Sequence, residues 1–243
     1  MNDVATPTPV THLKSQGYIH GKLSTVLGAQ FVQSAEWKQF TDSWNSLSQD
    51  GYMADGGTYR ERRYSEFSYD AGAGAGSMTL LAHVPYSQTM EVNYLNGGIE
   101  RHFEPFEPHV ADSPVLRSVF QWCADSLSQT VGEATWKIQT FQNRILARSD
   151  EDGQPTPEGM HRDGVDFVLT LLIERNSIDG GVSAVYEAQT KECLKEVELS
   201  DPGEFLFADD ERLLHSVTPL TPSAADGRGH RDVLIAMFTR TES

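Results

Sequence analysis

His161-Arg-Asp163 sets an imidazole and a carboxylate two positions apart in a chain of 243 residues. In extended backbone, residues two apart leave the same face, so the two groups can close on one ion. His215, within the apolar run Leu213-Leu-His215-Ser-Val217, offers a second imidazole from a separate strand-like segment. Two imidazoles and one carboxylate on one side of an ion leave its other side open. That donor set suits Fe(II) poised for oxygen chemistry. A His-x-Asp pair alone is common by chance, and an arginine downstream of His215 gives this one its weight.

Arg231 opens another apolar run, Arg231-Asp-Val-Leu-Ile-Ala-Met-Phe238. Alternation places Arg231, Val233, Ile235 and Met237 on one face. An arginine heading a buried face is costly unless an anion meets it, and a planar carboxylate matches its fork best. That carboxylate is either a protein side chain or a ligand, and the nearby donor set favours a ligand. Arg60, Arg62 and Arg63 crowd four positions of an otherwise acidic chain. Arg144 shares a strand face with Trp136, Ile138, Thr140, Gln142 and Leu146, a mixed face expected to wall a cavity. These four arginines are candidates to clamp a substrate carboxylate; the plainer alternative for each is an ordinary ion pair.

His161-Arg-Asp163-Gly-Val-Asp-Phe167, Gly180-Gly181, His215-Ser-Val-Thr-Pro219 and Arg231-Asp-Val-Leu234 together resemble the 2-oxoglutarate/Fe(II) dioxygenases that include bacterial free L-amino-acid hydroxylases of the L-isoleucine dioxygenase type. Tyr59-Arg-Glu-Arg-Arg-Tyr-Ser-Glu-Phe67 and Asn96-Gly-Gly-Ile-Glu-Arg-His-Phe103 extend the resemblance upstream. It implies Fe(II) on His161, Asp163 and His215, with 2-oxoglutarate on two of the open positions and O2 on the last. It places the distal carboxylate of 2-oxoglutarate on Arg231, helped by a hydroxyl from Ser216, Thr218 or Thr239. The implied reaction couples decarboxylation to succinate and CO2 with hydroxylation of an unactivated C–H bond of a free L-amino acid or close derivative. Halogenating relatives replace the carboxylate ligand by a small residue, so Asp163 favours hydroxylation; desaturation or cyclisation uses the same ligands. Two other readings stand beside this one: a cupin-like metal enzyme without 2-oxoglutarate, and a non-catalytic jelly-roll binding module.

Net charge is −16, from 19 basic and 35 acidic residues. That argues against nucleic acid and against an anionic membrane surface, and leaves a small-molecule substrate as the expected partner. A homodimer is compatible with the sequence. No apolar run approaches the ~20 residues of a membrane span, and the N-terminus lacks the pattern of a signal peptide. Cys123 and Cys193 have no metal-binding spacing and read as free thiols in a reduced cytoplasm.

The elements read as one domain over 1–243: a mainly β, double-stranded β-helix (jelly-roll, cupin-like) core, buttressed by N-terminal and mid-chain helices. Residues 1–10 read as a tail and 11–50 as helical, with Ser34 a helix N-cap and Trp37 and Trp44 core aromatics. Tyr59–Tyr69 reads as a half-exposed strand. Residues 71–76 form a flexible turn without a phosphate-loop lysine. Ser77–Pro85 is a strand candidate with His83 on its outer face. Asn96-Gly97-Gly98 signals a turn that could serve as a lid, and 103–108 a loop. Ser113-Pro114 starts a helix that stops near Gly132. Asp209 and Asp210 either orient His215 or form a solvated turn. Asp166 and His230 face away from the donor set, and His12, His20, His102 and His109 are expected at the surface.

Overall fold

The computed structural model describes residues 9–73, 77–91, 97–225 and 227–241. The first third holds helix α1 (Pro9–Gln16), strand β1 (Tyr18–Lys22), helices α2 (Leu23–Val26) and α3 (Ala35–Asp42), and strands β2 (Ser48–Gln49), β3 (Arg60–Asp70) and β4 (Met78–Leu80). Helices α4 (Pro108–Ala111) and α5 (Pro114–Val131) follow. Strands β5 (Thr135–Arg148), β6 (Phe167–Asn176), β7 (Ile178–Gly180), β8 (Val182–Glu187) and β9 (Cys193–Glu198) come next. Strands β10 (Glu204–Asp209), β11 (Leu213–Val217), β12 (Leu220–Pro222) and β13 (Arg228–Thr241) close the order.

An eight-stranded sheet runs β1-β10-β6-β13-β5-β3-β2, with β4 on the flank of β3. A smaller sheet, β11-β8-β9, and the ladder β12-β7 lie opposite, and every pairing is antiparallel. This is the mainly β jelly-roll architecture expected from the sequence.

The large sheet is buried on both faces. Along β13, Leu234, Ala236 and Phe238 join the helix-side core, where Leu13, Phe40, Trp44, Val119, Phe120 and Leu127 cover them. Burying each such Leu or Phe contributes about 1.5–3 kcal/mol. The residues between them, Val233, Ile235 and Met237, line a cavity on the other face. Helix α5 starts where Ser113 Oγ accepts from Val115 N at 3.2 Å, with Pro114 in its first turn, and stops at Gly132 with φ 88°. Ser34 caps α3 as predicted, accepting from Trp37 N at 3.0 Å, and Trp37 and Trp44 are core residues.

Several expectations need correction. Within 11–50, Tyr18–Lys22 is an edge strand on β10. Gly21 permits this pairing, because a Cβ there would stand 2.9 Å from the Phe205 ring. Strand β3 is mostly buried because β5 and β4 flank it and core covers both faces. The strand predicted over 77–85 shrinks to β4. The predicted tail is helical from Pro9, and residues 1–8 lie outside the described residues. Ala71–Ala73 form a 3-10 turn and Gly97–Gly98 a turn, while 74–76 and Asn96 lie outside the described residues. Residues 178–180 and 220–222 pair with each other as β7 and β12. Both cysteines are free, Cys123 buried and Cys193 exposed. Among the described residues, no helix is long and apolar enough to cross a membrane.

Candidate active site

His161 and Asp163 lie on the loop entering β6, and His215 on β11. An isolated antiparallel bridge fastens the two histidines: His161 N donates to His215 O at 3.0 Å, and His215 N to His161 O at 2.9 Å. Their ring centroids are 4.3 Å apart. Asp163 Oδ1 lies 3.8 Å from His161 Nε2, and Oδ2 lies 3.4 Å from His215 Nε2. One donor atom from each residue falls within 4.8 Å of the other two. Neighbouring donors on one first-row ion, bound at about 2 Å, stand about 3 Å apart, so the set matches a single ion in size and chemistry. His161 Nδ1 is 2.9 Å from Gly159 O. That contact favours the proton on Nδ1 and leaves Nε2 for a metal.

Electrostatics keep this set anionic on one member. Burial pushes Asp163 up, but the His215 hydrogen bond and the His215 and His161 charges outweigh it, and its carboxyl lies below the usual range. Burial pulls His215 down, whereas Asp163, Asp210 and Glu158 pull it up further, so its net shift is upward. Asp210 is buried and raised, by burial first and by Asp163 next. Its Oδ1 is 3.8 Å from His215 Nδ1. Of the two acids weighed for this duty, Asp210 is the one beside His215; Asp209 accepts from Arg212 N at 3.1 Å in the turn.

Arg231 heads the cavity face of β13, as alternation predicts. It is 2 % exposed, and its Nε and Nη2 have no hydrogen-bond partner. Burial, and then the charge of Arg175, pull it down to about 10. Gly181 stands beside it and makes room for its neighbours: a Cβ there would lie 2.6 Å from Leu220 Cδ2 and 3.1 Å from Arg175 Nη1, with Arg231 Cδ at 3.4 Å. One cavity joins this guanidinium to the His/Asp set. A buried cation with two orphaned donors, opening on a cavity, fits a carboxylate ligand.

The other arginines divide. Arg60 and Arg62 line the cavity. Arg63 points to the opposite face of β3, donating to Ser46 O and Pro105 O. Arg144 also faces away, in a two-pronged pair with Asp232 at 2.8 and 2.7 Å. The cavity face of β5 carries Phe141, Asn143 and Ile145, one residue out of step with the predicted face. Gln142 on that predicted face donates to Ser43 Oγ beneath the helices. Both faces of β5 are buried, so polarity alone misidentified the wet one. The predicted hydroxyls are also engaged elsewhere: Ser216 Oγ lies 3.2 Å from Tyr186 OH, and Thr218 Oγ1 accepts from Val182 N. Thr239 does not line the cavity; Thr156 and Thr170 do. Asp166 and His230 face away as expected, the first accepting from Arg240 N and the second beside Glu174. His20 is not at the surface but half-buried against Glu204 at 3.0 Å.

Sequence reasoning missed Arg101, Tyr86, Gln88 and Glu158 as cavity residues. Arg101 and Tyr86 meet through an isolated bridge between loops, which leaves no periodic signal. Glu158 is the exception: a carboxylate three positions before His161 was a usable clue.

A jelly roll that gathers two histidines and an aspartate at one open-sided point, with an orphaned arginine beyond, is the architecture of a non-haem iron oxygenase that uses a 2-oxo acid. The chain belongs to the 2OG-Fe dioxygenase family, whose sequence profile matches residues 41–237. It is therefore an oxidoreductase whose cofactor is Fe(II) and whose cosubstrates are 2-oxoglutarate and O2. It is 22 % identical to the 3(1)-hydroxy-L-isoleucine 4-dioxygenase of Pantoea ananatis, covering 96 % of this chain and 95 % of that one. It is 23 % identical to the L-isoleucine-4-hydroxylase of Bacillus thuringiensis over 65 % of this chain and 66 % of that one. Among solved structures, a bsmA homologue from Methylobium petroleophilum superposes with TM-score 0.85 at 27 % identity, covering 98 % of this chain and 96 % of that one. The IDO structure from Bacillus thuringiensis superposes with TM-score 0.76 at 19 % identity over 100 % and 98 % of the two chains, which supports the shared fold.

Proposed function

We propose that this dioxygenase hydroxylates an unactivated C–H bond of a free L-amino acid or close derivative. In this reading His161, Asp163 and His215 hold the iron, and Arg231 holds the distal carboxylate of 2-oxoglutarate. The observation that carries it is the orphaned Arg231 guanidinium opening on the cavity that the three donors share. Among the described residues no carboxylate is paired with Arg231, which favours a dicarboxylate cosubstrate over a cosubstrate-free metal enzyme. The amino-acid substrate is supported by two relatives named for isoleucine or its hydroxy derivative.

Iron bound at this point supplies oxygen activation, coupled to decarboxylation of 2-oxoglutarate to succinate and CO2. The chain's own residues position the reactants. Arg231 fixes the far end of the cosubstrate, and Thr170 offers a hydroxyl on the same cavity wall. Val168, Ile235, Met237 and Phe141 make an apolar surface that excludes water and holds a substrate side chain in place. Holding reactants in this way removes much of the entropic barrier.

The test is a screen of free L-amino acids for substrate-stimulated succinate release, with product mass recorded. One or more should stimulate release and gain one oxygen. Stimulation with loss of two hydrogens instead would assign desaturation or cyclisation. A panel without any stimulation removes the amino-acid part of the reading.

A further inference from the structure

Three arginines besides Arg231 reach this cavity: Arg60, Arg62 and Arg101, at 9 %, 6 % and 5 % exposure. The Nε of each is buried without a partner. Arg62 feels the other two: burial, and next Arg60, pull it down to about 9, with Arg101 adding to the effect and Asp50 opposing it.

Their partners differ. Arg62 has a carboxylate, Asp50 Oδ2 at 3.0 Å, and lies over the Phe103 and Phe141 rings at 5.0 Å from each centroid. Arg60 donates to the carbonyls of Gln154 at 2.9 Å and Pro155 at 3.2 Å. Arg101 donates to Gln88 Oε1 at 2.9 Å and lies over the Tyr86 ring at 4.7 Å. Among the described residues, no carboxylate is paired with Arg60 or Arg101. Two nearly buried guanidiniums without a directly paired carboxylate are costly, even with Asp50 and Glu158 acting on Arg101 from further off, and a ligand carboxylate relieves that cost.

The same cavity carries one carboxylate outside the donor set. Glu158 Oε1 lies 3.4 Å from His161 Nε2, and its side chain is 15 % exposed. With its proton on Nδ1 against Gly159 O, His161 turns only the lone pair of Nε2 toward Glu158 and gives that carboxylate no hydrogen bond. A ligand ammonium is the group that complements it.

Resting on the amino-acid reading above, we propose that Arg101 and Arg60 hold the α-carboxylate of the substrate and that Glu158 holds its ammonium. Both charged ends are then read, and the enzyme accepts an amino acid only when both are free. A peptide-embedded residue, an N-acyl amino acid or a carboxamide leaves a buried charge unmatched. A dicarboxylate or a hydroxy acid leaves Glu158 unmatched.

Calorimetry on the Mn(II)-loaded protein with 2-oxoglutarate tests this without turnover. Free L-isoleucine and the other proteinogenic L-amino acids are titrated singly, and the tightest is compared with its N-acetyl derivative and its carboxamide. The wild type should bind the free amino acid at least tenfold more tightly than either. Equal affinity for all three overturns the assignment, whatever the variants do. Arg101→Gln and Arg60→Gln should weaken the free amino acid tenfold or more while leaving the carboxamide unchanged. Glu158→Gln should narrow the preference over the N-acetyl derivative. Equal losses on all three ligands, or no loss, would make these residues structural and overturn the proposal; retained 2-oxoglutarate binding marks a folded variant. A wild type that binds no amino acid at all refutes the amino-acid reading itself, a separate result from loss of discrimination.

Discussion

The carboxylate of Asp210 lies beneath the backbone of Asp163. Its Oδ1 accepts from Asp163 N at 3.0 Å, and its Oδ2 accepts from Gly164 N at 2.8 Å and Val165 N at 3.1 Å. Gly164 adopts φ 78°, a left-handed conformation open to glycine at little cost, and this turns the three amides inward. The acid thereby fixes the loop that carries Asp163 while its Oδ1 stays beside the imidazole of His215. Asp210→Ala strands these amides, costing about 1–3 kcal/mol of stability. It should also weaken Mn(II) binding by about 10–100-fold, the usual effect of losing a group that orients metal ligands. Calorimetric titration decides it, and wild-type affinity in the folded variant would sever Asp210 from the site.

How much of this was legible depends on whether an element's role is local. The cavity face of β13 was readable because an arginine heads an alternating apolar run, and an arginine there demands an explanation. The convergence of His161, Asp163 and His215 was readable because their types are chemically specific. Tyr18–Lys22 was not, since its strand character comes from β10, far away in sequence. Gln142 and Arg144 misled because their partners, Ser43 and Asp232, lie on the helix side and on the neighbouring strand. Arg101 had no local signal, for a bridge between two loops is a tertiary fact.

His161→Ala, Asp163→Ala and His215→Ala each remove one of the three proposed metal donors and none of the helix-side core. Each should abolish 2-oxoglutarate turnover and retain the wild-type circular dichroism spectrum. Turnover near the wild-type rate in any one variant strikes that residue from the donor set.

Glu204 gives the acid limb of stability. Burial pushes its carboxyl up, but amide donation from Ser200 and Asp201, together with His20, outweighs burial, so its net shift is downward. A carboxylate depressed in the folded state stabilises fully above its unfolded value, about 4.3. That contribution fades as pH falls through the folded value. Glu204→Gln should therefore be less stable than wild type at pH 7 and converge on it below pH ~4. Urea midpoints across this range measure the difference, and a constant gap between the two proteins would contradict it.

Gly181 stands at φ 71°, and a Cβ there would meet Leu220 Cδ2 at 2.6 Å and Arg175 Nη1 at 3.1 Å. Gly181→Ala combines a left-handed penalty of about 1–2 kcal/mol with overpacking of similar size. Because the same Cβ displaces Arg175 and Leu220 and would touch the stem of Arg231 at 3.4 Å, the variant should lower Tm and raise the KM for 2-oxoglutarate together. A fall in Tm with KM unchanged would show that the glycine serves the turn alone.

Arg231 should separate stability from function. Its buried head has two donors that no protein group meets, and among the described residues no carboxylate is paired with it, so the protein itself does not compensate its charge. Arg231→Met keeps much of the volume and removes that charge. Replacing buried charge by apolar side chains is neutral or stabilising by about 1–4 kcal/mol, so ligand-free Tm should hold or rise. Binding of 2-oxoglutarate should move the other way: losing one side of a buried charge pair costs about 2 kcal/mol or more, a factor of about 30 in KM. Wild-type protein should gain Tm on addition of 2-oxoglutarate with Mn(II), and the variant should not. A variant with lower ligand-free Tm and unchanged KM would mean that the guanidinium serves the fold and that the cosubstrate is held elsewhere.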